Sequence, residues 1–160
     1  MRVVIADTGP LNYLLLIDQI GLLPTLFGAV HIPDAVCDEL ADSGAPQIVH
    51  SWIAQPPPWL VIEPTPAATI SSPKLDPGEQ AAIALAIALK ADLLLIDDRA
   101  GVAAALAQGL AVVGTLGILD QAASNGLVEL PTALARLTAT NFHVRRQLID
   151  ALLAKHLDGP

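Results

Sequence analysis

The sequence is poor in three kinds of residue on which many functional sites depend. Its 160 residues include one cysteine, eight Lys and Arg, and two Trp, one Tyr and two Phe as the only aromatic residues. A single cysteine, Cys37, excludes an intramolecular disulfide and a cysteine-rich zinc site, which fits a reducing compartment. Sixteen Asp and Glu bring the formal net charge to −8. This charge argues against a broad electrostatic surface for nucleic acid.

Long hydrophobic runs are also missing. The segment "AAIALAIAL" ends at Lys90, well short of the ~20 apolar residues that cross a bilayer. The N-terminus lacks a basic region that leads into an apolar segment, and Asp7 interrupts the only candidate leader. We therefore expect a cytoplasmic protein without a membrane partner. With 53% hydrophobic residues, the chain fits a single domain over residues 1–160 with a C-terminal helical tail from about 130.

Short apolar runs that alternate with helical patterns indicate the fold class. Continuous apolar runs are typical of parallel strands buried on both faces. They occur at 3–6, 29–32, 60–63, 93–96 and 110–114. The helical patterns cover 9–18, 20–27, 34–42, 46–54, 77–90, 99–108, 115–124, 131–138 and 143–156. We predict an α/β fold, a three-layer α/β/α sandwich with a parallel central sheet.

Acidic residues directly follow two of the predicted strands. Asp7 follows the first strand, and Asp97 and Asp98 follow "LLLI". The carboxyl ends of parallel strands line the crevice where such sheets bind ligands, so these acids are candidate site residues. Either position could equally be a helix N-cap, because Asp is favoured there and a helix follows each one.

Glu39 belongs to a helix whose acids can be sorted by angle. Asp34, Asp38 and Asp42 recur every four residues and form a polar stripe, whereas Glu39 falls within the apolar arc that should face the sheet. A buried carboxylate needs compensation. The compensation could come from a functional site, or from a structural partner such as Arg99 or a buried backbone donor.

Glu79 lies at the start of the helix "LDPGEQAAIALAIALK". Asp76 as N-cap, Pro77 at the first helical position and Glu79 three residues after the cap form a capping box. A structural role is therefore available to Glu79. The start of this helix is nevertheless close to the sheet edge, so its carboxylate can also reach the crevice.

These acids are far apart in sequence but can meet at one edge of the sheet. Two carboxylates ~4 Å apart repel by roughly 4 kcal/mol at an effective dielectric near 20. Protonation or a cation can relieve that repulsion. Hard oxygen ligands without a His or Cys cluster favour Mg²⁺ or Mn²⁺.

The segments "VVIADTGPL", "HIPDAVCDEL", "LDPGEQAAIALA" and "ADLLLIDDRAG", in this order, resemble the successive motifs of PIN-domain proteins. The resemblance runs from about residue 3 to 125 and is strongest to the toxin-like, VapC-related branch. It implies a parallel sheet in the order 3-2-1-4-5. It also implies a Mg²⁺- or Mn²⁺-dependent endoribonuclease, with an antitoxin-like protein as a possible partner.

The resemblance also implies roles for individual residues. Asp7, Glu39, Glu79 and Asp97 match the four family acids, with Asp98 as a further ligand or outer-shell group, so the implied metal ligands are Asp7, Glu79, Asp97 and Asp98. The implied reaction is metal-assisted hydrolysis of an RNA phosphodiester bond. Arg99 is the candidate contact to the substrate phosphate.

Other functions stay open at this point. A PIN fold without catalysis could serve as a protein- or RNA-binding module, which Gly9 and the acid excess would fit, because the family usually has Ser or Asn at that position. A receiver-like phosphoacceptor would need an activating Lys near its acids, and Lys90 is predicted at the far end of a helix. The Asp-x-Asp of small-molecule phosphohydrolases is absent, since position 9 is glycine. The aliphatic content, with a mean hydropathy of +0.56, predicts apolar surface for a homodimer, with the helix near 20–27 or the tail as candidate patches.

Overall fold

A computed structural model describes residues 2–67 and 72–157. Five parallel strands form one sheet in the order β3-β2-β1-β4-β5. The strands are β1 (Val4–Ala6), β2 (Val30–Pro33), β3 (Leu60–Glu63), β4 (Leu93–Leu95) and β5 (Val112–Val113). The predicted fold class and strand order are confirmed.

Helices connect and flank the strands. In the described residues they are α1 (Thr8–Leu16), α2 (Leu22–Phe27), α3 (Asp34–Leu40), α4 (Gln47–Ala54), α5 (Pro77–Ala88), α6 (Arg99–Ala107), α7 (Thr115–Ser124), α8 (Leu130–Thr138) and α9 (Arg146–Leu157). Proline occupies the first turn of α1, α5 and α8, where a missing backbone N–H costs no helical hydrogen bond. None of the helices in the described ranges combines the length and the apolar character of a membrane span.

The centre of the sheet forms the core and fixes the site edge. All residues of β1 and β4 are buried, as continuous apolar strands in a covered parallel sheet should be. These two strands are neighbours, with Ala6 opposite Leu95. Their carboxyl ends therefore place the residues that follow, Asp7 and Asp97, at the same edge.

The segment ends differ from the predictions by a few residues. α1 stops at Leu16 because Asp18 adopts a left-handed conformation, with φ of 60°. α9 begins at Arg146 rather than at 143, and residues 142–145 belong to the α8–α9 loop. β5 contains only Val112 and Val113 of the predicted 110–114. The predicted domain limits, 1 and 160, lie outside the described residues.

Candidate active site

One acidic crevice lies at the carboxyl edge of the sheet. It encloses about 660 Å³ and is lined by residues that follow β1 and β4, by residues of α1, by the starts of α5 and α6, by the last turn of α3 and by the α8–α9 loop. Every candidate site residue that the sequence analysis named lines it: Asp7, Glu39, Glu79, Asp97, Asp98 and Arg99. Asp7 and Arg99, which are 92 positions apart along the chain, thus share one cavity.

Three helices at this edge have an aspartate as N-cap, and only two of those side chains cap their helix. Asp76 Oδ1 accepts the Glu79 amide at 2.7 Å, and Asp98 Oδ2 accepts the Gly101 amide at 3.0 Å. In both cases the donor is the third helical residue, the usual partner of an N-cap side chain. In α1 that third residue is Pro10, which has no N–H, and Asp7 makes no side-chain capping bond. The N-cap interpretation therefore does not account for the Asp7 carboxylate.

Asp7 is the most deeply buried acid of the crevice. It is only 5% exposed, and its Oδ1 has no hydrogen-bond partner among the described residues. Burial raises its pKa from 3.8 to about 7, and the nearby charges of Asp76, Glu39 and Asp97 add to the effect. A buried, unpaired carboxylate with a raised pKa favours either a proton or a cation.

Glu79 has a structural and an unassigned oxygen. Its Oε1 accepts the Asp76 amide at 3.1 Å, which completes the predicted capping box. Its Oε2 is buried without a partner among the described residues. Burial and the nearby Asp98 carboxylate raise the pKa of Glu79 to about 8. The neighbouring Glu79 carboxyl in turn lowers the pKa of Asp98. A proton is therefore bound more readily by Glu79 than by Asp98.

Glu39 is held between two other elements of the fold. Its Oε1 accepts the Thr8 hydroxyl at 2.5 Å, and its Oε2 accepts the Gly78 amide at 3.1 Å. A Cβ at position 78 would lie 2.4 Å from the Glu39 oxygens, so only glycine allows this approach. Burial raises the pKa of Glu39. The carboxylate thus joins the starts of α1 and α5 and has the backbone donor considered above, not Arg99, as its partner.

Asp97 is braced by the start of α7. Oδ1 of Asp97 accepts the Thr115 amide at 2.7 Å, and its Oδ2 accepts the Thr115 hydroxyl at 2.6 Å. Burial raises the pKa of Asp97, and the two Thr115 bonds oppose that rise. A Cβ at position 114 would lie 2.7 Å from Oδ1, so Gly114 gives the carboxylate room. These contacts fix one orientation of Asp97 at the crevice.

The lining of the crevice also includes a cation and aromatic side chains. Arg99 is exposed at the start of α6, and Tyr13, Phe142 and His143 complete the lining. The Tyr13 and Phe142 rings meet edge to face at 4.9 Å, and the Tyr13 hydroxyl donates to Asn141 Oδ1 at 3.0 Å. The segment that the sequence suggested as a tail therefore contributes side chains to the crevice.

The donor set fits a hard divalent cation, although the acids are not arranged around one. In residues 2–67 and 72–157, no three Asp, Glu, His or Cys side chains stand in the geometry of a metal site. The crevice nevertheless offers carboxylate oxygens, two of them buried without a partner, on Asp7 and Glu79. Mg²⁺ binds one or two carboxylates directly and keeps several waters, so it does not need a closed cage of protein ligands.

Sequence reasoning missed the residues that hold the acids in place. Thr8 and Thr115 carry no pattern that separates them from ordinary helix starts, and only their positions two residues after strands β1 and β5 could have pointed to them. Phe142 and His143 lie in a loop without periodicity. His143 is exposed and lines the crevice.

Comparison with known proteins agrees with the geometry at the level of the family. A family model described as a PIN domain matches residues 3–157, nearly the whole chain. Searches among curated proteins and among solved structures gave no match. PIN domains are generally nucleases, which supports a hydrolase at a coarse level. The match does not single out the toxin-like branch. The sequence motifs, the strand order and the family match together show that the chain belongs to the PIN-domain family.

Proposed function

We propose that the protein is a Mg²⁺- or Mn²⁺-dependent endoribonuclease. The observation that carries this proposal is the state of Asp7, a buried carboxylate that its own helix leaves uncapped beside three further acids. A purely structural acid would be expected to have its oxygens satisfied. RNA as the substrate rests on the resemblance to the toxin-like branch.

Asp7, Glu79, Asp97 and Asp98 would hold the ion. When bound, such an ion polarises a phosphoryl oxygen and lowers the pKa of a coordinated water. Thr115 keeps the Asp97 carboxylate oriented, and the capping box fixes the Glu79 backbone at the crevice. The oxygens of Asp7 and Glu79 that have no partner among the described residues would then bind the ion directly.

Hydrolysis requires a water oxygen to lose a proton and bond to phosphorus, while the bond from phosphorus to the leaving ribose oxygen breaks and that oxygen gains a proton. Glu39 would orient the attacking water, with Thr8 and Gly78 keeping its side chain in place. Arg99, exposed at the crevice rim, would bind a phosphate oxygen of the substrate and position the strand.

A non-catalytic binding module is the second candidate. Both Glu39 oxygens already accept protein donors, and the acids of the described residues form no ready-made metal site. An antitoxin-like partner and a homodimer belong to the first proposal as predictions. Light scattering of the purified protein would check the dimer by its mass.

Incubation with end-labelled single-stranded RNA and Mn²⁺ separates the two candidates. We expect cleavage by the wild type, loss of at least about 100-fold in Asp7→Asn, and no cleavage with excess chelator. Asp38→Asn is the matched control, because Asp38 is an exposed acid on α3 outside the acidic crevice. Binding without cleavage in every metal condition would favour the binding module, and equal cleavage by Asp7→Asn would indicate a contaminating nuclease.

A further inference from the structure

A second cavity of about 570 Å³ adjoins the acidic crevice. The two cavities share Arg99, Phe142 and His143, which therefore form their common wall. We call the second cavity the side groove, and Arg145, Gln147 and Leu148 are among its further lining residues. The α8–α9 loop and the first turn of α9 thus extend the crevice in one direction.

The side groove concentrates positive charge in an acidic protein. The chain has only eight Lys and Arg against sixteen Asp and Glu, yet Arg99 and Arg145 line the same groove. Both are exposed, and neither forms an ion pair with an acid of the described residues. Arg146, the next residue, instead pairs with Asp150 at 3.3 Å. Two guanidinium groups without acidic partners are suited to phosphate oxygens.

Aromatic side chains are equally scarce, and two of the five stand where the cavities meet. Phe142 lines both cavities, and Tyr13 lines the acidic crevice. Their edge-to-face contact and the Tyr13–Asn141 hydrogen bond tie the α8–α9 loop to α1. The junction is therefore a fixed aromatic surface, on which an unpaired base can stack regardless of its identity.

We infer that the side groove binds single-stranded nucleic acid on one side of the cleaved bond. Arg99 and Arg145 bind successive phosphates, and one base stacks on Phe142. In a duplex, stacking on neighbouring base pairs would cover the base face and withhold it from Phe142, so the groove selects single strands over duplexes. The inference rests on the proposed function, because it assigns the strand a path that leads from the acids.

Binding and cleavage by Arg145→Ala test the groove, with Arg146→Ala as the matched control. Arg146 is adjacent and exposed like Arg145, but it is paired with Asp150 and does not line the groove. Fluorescence anisotropy in chelator gives Kd for a labelled single-stranded RNA without any cleavage. We expect Arg145→Ala to raise Kd about 5-fold or more. The slope of log Kd against log salt concentration should also fall by about 0.7, which corresponds to the loss of one phosphate contact. Arg146→Ala should stay within about 2-fold of the wild type.

Phe142→Leu tests the stacking surface. We expect it to reduce the preference for single strands over a duplex of the same sequence, measured as the ratio of the two Kd values. Thermal unfolding of each variant checks the fold. Equal Kd for Arg145→Ala and Arg146→Ala would overturn the inference even if the wild type cleaves RNA. Absence of wild-type cleavage together with the expected Kd changes would refute only the nuclease proposal.

Discussion

The carboxylates of the crevice differ, residue by residue, in what their oxygens contact. Asp97 and Glu39 have every oxygen engaged by Thr115, Thr8 or Gly78. Asp7 and Glu79 each keep one buried oxygen without a partner in the described parts of the chain. We expect the two kinds of acid to respond differently to substitution, because only Asp7 and Glu79 bury an unpaired oxygen, which destabilises the fold of the wild-type protein.

Asp7→Asn should stabilise the metal-free protein at high pH. The pKa of Asp7 is raised to about 7 in the folded state, so its protonated form stabilises the fold at low pH and that stability is lost as pH rises through 7. The loss is on the order of 4 kcal/mol, at one pKa unit per 1.36 kcal/mol. Urea unfolding in chelator should therefore show the variant and the wild type alike near pH 4 and the variant more stable near pH 8. Asp38→Asn, an exposed acid, should show no such pH-dependent gain.

Gly114→Ala should disturb Asp97 specifically. The backbone at 114 is extended, so alanine fits its conformation, but the new Cβ would lie 2.7 Å from Asp97 Oδ1. We expect RNA cleavage to fall by at least about 10-fold because the carboxylate must move. Gly21→Ala is the control, since nothing lies within 4 Å of a Cβ there and its φ of −64° suits alanine. Equal activity of the two variants would contradict a requirement for this Asp97 position.

Among the secondary-structure elements, four helix N-termini lie at one edge of the sheet, those of α1, α5, α6 and α7. A helix N-terminus carries a partial positive charge, which favours anions. Each of these starts contributes or braces an acid: Asp7, Glu79, Asp98 and, through Thr115, Asp97. The helices thus offset part of the repulsion between the carboxylates.

Substitutions of Asp76 separate the effect of its capping oxygen from the effect of its negative charge. Asp76→Ala removes the acceptor of the Glu79 amide and should lower the free energy of unfolding by about 1 kcal/mol. Asp76→Asn keeps a capping oxygen without the charge, so we expect near wild-type stability and cleavage. Thermal unfolding and the RNA assay check both variants. Loss of cleavage in a stable Asp76→Asn would show that the charge itself is needed.

The elements also show how far sequence reasoning reaches. The strand ends could be predicted because "VVIA" and "LLLI" are buried apolar runs, and parallel strands must bring Asp7 and Asp97 to one edge. The angular position of Glu39 on α3 indicated an inward carboxylate, and the structure places it at the crevice, half-buried. Phe142 could not be predicted, because its position depends on the tertiary contact of the α8–α9 loop with Tyr13 on α1.

For the molecule as a whole, the proposed ion in the acidic crevice would couple binding to folding. Any ligand that binds only the folded state raises the unfolding temperature. Mn²⁺ at ten times its Kd should add about 1.4 kcal/mol, or roughly 3–6 °C for a chain of this size. We expect this shift near pH 8 in the wild type and not in Asp7→Asn, measured by calorimetry. An equal shift in both proteins would place the ion elsewhere.

The apolar surface narrows the choice of a dimer patch. The apolar residues Leu22, Leu23 and Phe27 of α2 are buried, so this helix offers little for a partner. Leu157, at the end of α9, is 82% exposed. Of the two predicted patches, the tail is therefore the better candidate for a homodimer.

Pro10 lowers the stability of the α1 start and leaves the Asp7 carboxylate uncapped. With alanine at this position, α1 would gain an amide that can hold the Asp7 carboxylate, a cap worth about 1 kcal/mol, less the rigidity that proline gives the unfolded chain. The captured oxygen would no longer be available to an ion. Under the proposed function, a more firmly capped helix would thus be a poorer catalyst, because the pyrrolidine ring leaves the Asp7 oxygen without a partner inside its own helix.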